Sequence, residues 1–184
     1  MKRLLATALL ILSPSLFAAD YEFDKVHTQI TFSVSHLGFS TSTGSFVDFD
    51  GSFSFDESDF SKSNVEVTIK TKSIDLNDKT WNSHMRGEKW FDVKKFPTMV
   101  FKSTSVKKTG DKTMDVMGNL TLKGVTKPAT LNVTFNKAGK AFGKEKAGFS
   151  AVTTIDRAEF GFTKGIPGVG GKIPVRIEVE GAKK

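Results

Sequence analysis

From Val26 to Val179 apolar and polar residues alternate with a period of two, interrupted by clusters of Gly, Asn and Asp. Successive side chains of a β-strand point to opposite faces, so the pattern writes one apolar and one polar face along strand after strand. Eight strands are expected, at roughly 26–37, 43–56, 63–74, 98–109, 112–123, 128–137, 147–156 and 171–181. Val65, Val67 and Ile69 form the apolar row of the third, and Ile173, Val175, Ile177 and Val179 that of the last. Gly110-Asp111 and Gly124 supply turns. Gly51 and Gly118 inside strands, with a parity slip between Phe46 and Phe49, predict bulges or bends. One stretch leaves the alternation, DKTWNSHMRGEKWFDV, where Asp78 can cap a short helix carrying Trp81 and Met85 on one face.

Short antiparallel strands with one apolar face must stack as a sandwich or close as a barrel. The expected class is all-β: an eight-stranded antiparallel, lipocalin-like β-barrel with one short helix between strands 3 and 4. Such a barrel is wide enough to be filled by side chains or to hold one small apolar ligand. An outer-membrane barrel is disfavoured, because Lys70, Lys72, Lys102, Lys107, Arg176 and Glu178 would face hydrocarbon.

The start, MKRLLATALLILSPSLFAAD, joins two cations to a short apolar run and small residues, the pattern of a secretory signal peptide. Residues 1–18 are assigned to it and 19–184 to one domain, in keeping with a periplasmic protein. Without Lys2 and Arg3 the chain keeps 25 basic against 20 acidic residues, about +5, scattered and without the stripe that nucleic acid requires. There is no cysteine, hence no disulfide and no thiolate metal site. No later apolar stretch suits a membrane-spanning helix.

Phenylalanine is the compositional outlier, 17 in all and 16 after the leader. Each Phe taken singly can fill a core, but Phe32, Phe53, Phe55, Phe101, Phe135 and Phe149 fall on the apolar faces of five strands, around one interior. That interior is either a packed core or a dry tunnel for a hydrocarbon, and the alternation fits both. In HTQITFSVSHLG the inward row Ile30, Phe32, Val34 ends in His36, while parity turns His27 to the other face. The three histidines, His27, His36 and His84, show neither H-x-H nor HExxH spacing, which argues against a metal centre. No G-x-S-x-G elbow and no opposed pair of inward carboxylates is present. GFTKGIPGVGGKIP lacks the first glycine and the Ser or Thr of a phosphate loop, having Ile166 and Ile173 there. It reads as a rim loop, with an anion nest near Lys164 and Lys172 as the alternative.

HTQITFSVSHLG with GSFVDFDGSFSFD, HMRGEKWFDVKKFPTMVFKSTSV, GNLTLKGVTKPATL and IDRAEFG, in this order, together resemble the YceI-like, polyisoprenoid-binding proteins of bacteria. The resemblance implies a lipocalin-like barrel, exported to the periplasm, that holds a prenyl phosphate, a prenyl quinone or another long-chain lipid. It moves the tunnel reading ahead of the filled core. Strand parity then assigns Phe32, Val34, Phe53, Phe55, Phe101, Phe135 and Phe149, with Trp81 of the helix, to the apolar lining. His36, His84 and Arg86 are assigned to the head group. No catalytic residue, metal or cofactor is expected beyond the bound lipid, and a homodimer is left open. The rivals are a histidine-based metal protein or enzyme, and a stress-related structural protein whose barrel is full.

Overall fold

The computed structural model describes residues 18–184, so all of the expected leader except Ala18 lies outside the described residues. The alternating stretches become eleven strands: β1 (Ala19–Phe23), β2 (Gln29–His36), β3 (Ser40–Phe46), β4 (Phe49–Phe55), β5 (Asn64–Lys70), β6 (Ile74–Asp75), β7 (Thr98–Lys108), β8 (Thr113–Leu122), β9 (Val125–Ala141), β10 (Lys144–Asp156) and β11 (Lys172–Lys183). Three long staves are each split in two. β1 and β2 follow one another along β11. β3 lies against β2 and β4 against β1, with the break at Val47-Asp48, where the sequence parity slips. β5 and β6 continue the meander against β4 and β3, separated by a 3-10 turn at Thr71–Ser73.

Pairing then runs in chain order around eight antiparallel staves and closes where β1 meets β11, Tyr21 opposite Lys183 and Phe23 opposite Gly181. The expected barrel is therefore observed, with β1 as an unforeseen extension of the first stave. Both prolines inside strands sit where a ladder is incomplete. Pro128 precedes Asn132, where the β9–β10 ladder ends opposite Val152, and Pro174 precedes Val175, where the β11–β2 ladder begins.

Gly118 answers one bulge expectation: the β7 register shifts between Ser103 and Ser105 just opposite it. A Cβ on Gly118 would also lie 2.6 Å from the Phe101 ring, and one on Gly181 would lie 2.4 Å from the Phe53 ring. At both places a large ring reaches over a glycine, Phe101 on the adjacent strand and Phe53 across β1, which lets rings coat the inner wall.

The helix α1 (Lys79–Arg86) connects β6 to β7, with Asp78 accepting from the Trp81 N–H at 2.7 Å as the sequence suggests. The Asn82 amide fixes it to the wall: its oxygen accepts from the Leu76 N–H at 2.7 Å and its nitrogen donates to Asp75 at 2.9 Å. Apolar residues gather in two clusters, one at each end of the barrel. Phe55, Phe60, Phe135 and Phe149 belong to the first; Ile74, Leu76, Phe160 and Phe162, with the half-buried Trp81, Met85 and Trp90 against them, belong to the second.

Candidate ligand cavity

Between the two clusters the staves enclose a cavity of about 460 Å³ that runs along the barrel. Its wall is the inward row of every stave: Ile30, Phe32 and Val34 of β2, Val65 and Val67 of β5, Leu131 and Val133 of β9, and Ile173 to Val179 at alternate positions of β11. At one end Phe53, Phe55 and Phe149 form a floor, with ring centroids of Phe55 and Phe149 4.9 Å apart and nearly perpendicular. Phe60 and Phe135 pack behind that floor, Phe135 with its centroid 4.9 Å from Phe55. At the other end Val34, Trp81, Met85, Trp90 and Val169 are only half-buried and His36 is exposed, so the cavity opens between α1 and the β2–β3 turn. Polar groups are few. Thr153, His36 and Arg157 stand toward the open end, and Thr28, with its hydroxyl given to the Glu180 carbonyl at 3.2 Å, is one of the few along the wall.

The seam between β9 and β10 also loosens at the open end, because that ladder stops at Asn132 opposite Val152. The loop after β10 covers it. Phe162 lies with its centroid 5.0 Å from Phe91 and carries the Lys123 ammonium 5.0 Å above its ring.

Arg157 holds that loop, and its side chain is buried (7 % exposed). Its Nε–H donates to the Gly170 carbonyl at 2.8 Å, one terminal nitrogen to Phe162 at 2.6 Å, and the other to Lys164 and Val169, both at 3.0 Å. Trp90 lies 5.8 Å from the guanidinium. Burial lowers the Arg157 pKa from the usual guanidinium value, with the Asp156 charge opposing the shift. The anion-nest alternative for this glycine-rich loop is thus corrected: carbonyl oxygens, not N–H groups, converge, and the ion they surround is the chain's own cation. Lys172 is taken by Asp156 at 2.9 Å, which holds the Asp156 carboxyl below its ordinary pKa.

The structure places the expected site residues unequally. Phe32, Val34, Phe53, Phe55, Trp81, Phe101 and Phe149 line the cavity, and His36 stands at its rim. Phe135 does not, because its ring is enclosed by Phe55, Phe60 and Phe149. His84 and Arg86 are exposed and off the cavity wall: the helix face that carries Trp81 and Met85 inward turns them out, and Arg86 donates to the Ile74 carbonyl at 3.2 Å. Arg157, Trp90, the β11 row and the inward rows of β5 and β9 are among the lining residues that the expected site left off. The β11 row was visible as an apolar face, whereas nothing local to Arg157 announces that it turns inward.

The three histidines lie apart, His27 beside Asp24, His36 on the β2–β3 ribbon and His84 on α1. Among the described residues the group with metal-ligand proximity is Asp24, His27 and Glu180, at the β1–β2 break. Lys146 already bridges it, donating to Asp24 at 3.2 Å and to Glu180. Hydrogen bonds from His27, then Lys146 and the Val26 and His27 amides, hold the Asp24 carboxyl well below the usual carboxylate range.

Comparison with known proteins agrees with this geometry. A UPF0312 protein of Pseudomonas putida is 44% identical over 98% of this chain and 94% of its own length. The crystal structure of Burkholderia cenocepacia BcnA superposes with a TM-score of 0.79 at 25% identity, covering 86% of this chain and 98% of that one. A polyisoprenoid binding domain from Saccharophagus degradans shares the fold, with a TM-score of 0.69 at 16% identity over 91% of this chain and 99% of its own. The YceI-like domain profile matches residues 21–181, and the chain belongs to the YceI-like family.

Proposed function

We propose that this protein is a non-catalytic periplasmic carrier that holds a long isoprenoid chain, of the prenyl quinone or prenyl phosphate type, or a similar amphiphile, inside its barrel for storage or transport. One observation carries the reading: the cavity wall is almost wholly apolar, with a few hydroxyl and amide groups such as Thr28 and Asn64, from the aromatic floor up to a rim where His36 and Arg157 stand. That polarity matches a molecule with a long hydrocarbon tail and an oxygen-bearing head. Each 100 Å² of tail removed from water is worth about 2.5 kcal/mol gross, so a chain threaded along the wall outweighs the cost of ordering it. The binding of a polyisoprenoid by the Saccharophagus domain of the same fold supports the class of ligand.

Protein recovered from the periplasm without detergent, extracted with organic solvent and examined by mass spectrometry, is expected to yield a stoichiometric prenyl lipid. Repeated recovery of lipid-free protein that also refuses added prenyl quinone and prenyl phosphate would overturn the reading.

A further inference from the structure

At the open end of the barrel the β2–β3 ribbon outruns its neighbours. β11 pairs with β2 only from Gln29 to Phe32, and β6 pairs with β3 only at Ser45 and Phe46. Further out, the loop around Val169 takes over. The Leu37 N–H donates to the Gly168 carbonyl at 2.7 Å, the Gly170 N–H donates to the Ser35 carbonyl at 2.9 Å, and His36 bridges Val169. Ribbon and loop are therefore one tied tip beside the cavity mouth.

Three apolar side chains crown this tip in water: Phe39 is 89% exposed, Leu37 57% and Ile166 39%. Leu37 also breaks a backbone rule. It and Gly38 occupy a two-residue turn with φ of 53° and 76°, a geometry that favours Asn, Asp or Gly at the first place. The same left-handed geometry at Lys123-Gly124 carries a polar residue. A lone apolar residue also occupies the like turn at Phe142-Gly143, so what marks a contact surface is the grouping of Leu37 with Phe39 and Ile166 on one tip. Around the mouth Lys79, Arg86, Lys89, Lys94, Lys95 and Lys164 are exposed and have no carboxylate partner among the described residues; Asp75, Asp78, Glu88, Asp92 and Glu159 are the opposing charges there, Asp75 being bonded to Asn82 and Asp78 to the helix N-terminus.

A second copy is a poor occupant, since three side chains fall far short of the roughly 800 Å² per partner of a stable interface. A bilayer suits both features: apolar tips enter the headgroup–acyl boundary while lysines meet anionic headgroups. Resting on the carrier reading, we propose that Leu37, Phe39 and Ile166 insert into an anionic lipid surface and bring the cavity mouth against the membrane, where a lipid is loaded or released.

The test is co-sedimentation of the mature protein with vesicles of phosphatidylcholine alone or with phosphatidylglycerol. Three proteins are compared: wild type, the L37N/F39S double variant and F142S. L37N suits the turn better than leucine, so a folding defect does not confound it. Phe142 is 99% exposed in a like turn at the opposite end of the barrel and serves as a control for exposed apolar area. Wild type and F142S are expected to pellet with anionic vesicles, less so at high salt, while L37N/F39S loses about tenfold or more in partitioning. Docking is overturned if wild type stays in solution with both vesicles, or if F142S loses as much as the double variant.

A soluble short-chain prenyl quinone, read by quenching of Trp81 and Trp90, separates this from the carrier reading. Quenching without vesicle binding removes the docking surface and leaves the carrier. Vesicle binding without quenching does the reverse.

Discussion

The Nε–H of Arg157 donates to the carbonyl oxygen of Gly170 at 2.8 Å, one of four bonds by which a single guanidinium gathers carbonyls of residues 162, 164, 169 and 170. A lysine has the charge but not the planar fork, and a methionine has neither. R157M is expected to cost about 2–4 kcal/mol, because it leaves several partly buried carbonyls without donors, and R157K to recover only a fraction of that. Denaturant unfolding measures the loss. Limited proteolysis is expected to cut first between Gly161 and Gly171.

Floor and wall answer truncation differently. Phe135 is enclosed by three other rings, so F135A is expected to cost about 3–5 kcal/mol. Val34 faces the cavity and is half-buried, so V34A is expected to cost less than about 1 kcal/mol. Equal losses in chemical denaturation would mean that the interior is filled.

Enlarging Val133, which lines the cavity on β9 opposite Ala151, sharpens the same point. A packed core strains by about 1–3 kcal/mol when a ring is forced in, whereas V133F placed in open space is expected to leave stability nearly unchanged and to abolish prenyl quinone binding. Unfolding and fluorescence titration of the same variant decide it.

Gly181 gives a coupled prediction. The Cβ of G181A would stand 2.4 Å from the Phe53 ring and 3.1 Å from the Tyr21 Cβ. The single variant is expected to lose about 1–3 kcal/mol, and much of that is expected to return when F53L is added, as a double-mutant cycle will read.

Acid should loosen the β1–β2 break first. The Asp24 carboxyl, held low mainly by His27 and then by Lys146, has a folded pKa below its unfolded value of 3.8. Its contribution to stability is therefore complete above the unfolded pKa and lost as pH falls through the folded one. D24N is expected to flatten the fall in melting temperature below about pH 4, as thermal melts across that range will show. K146M, which leaves Asp24 and Glu180 facing each other without a cation, is expected to melt lower at neutral pH.

Much of this was legible in the order of residues. Period two is a local property, so the eight staves, the Asp78 cap and the break between Phe46 and Phe49 could be read without knowing what lies opposite. The short β1 escaped because it abuts the leader and its two inward rings, Tyr21 and Phe23, are too few to show a period. Parity also cannot separate Phe149, which lines the cavity, from Phe135, which does not. Both point inward, opposite each other on β9 and β10, and only the packing of Phe55 and Phe60 around Phe135 distinguishes them. On α1 the same limit placed His84 and Arg86 near a head group, although one turn of helix carries neighbours to opposite sides. Arg157 was beyond reach for another reason: its four acceptors are backbone atoms, which leave no trace in residue identity.

The aromatic floor has a consequence for traffic. For the amphiphile proposed above, a tube with one door admits the tail first and releases it head first along the same path, so one passenger cannot be pushed through by the next. Exchange becomes strictly sequential: the occupant must depart before its successor enters. Turnover is then set by what happens at the doorway, while the length of the wall governs only how firmly the passenger is held.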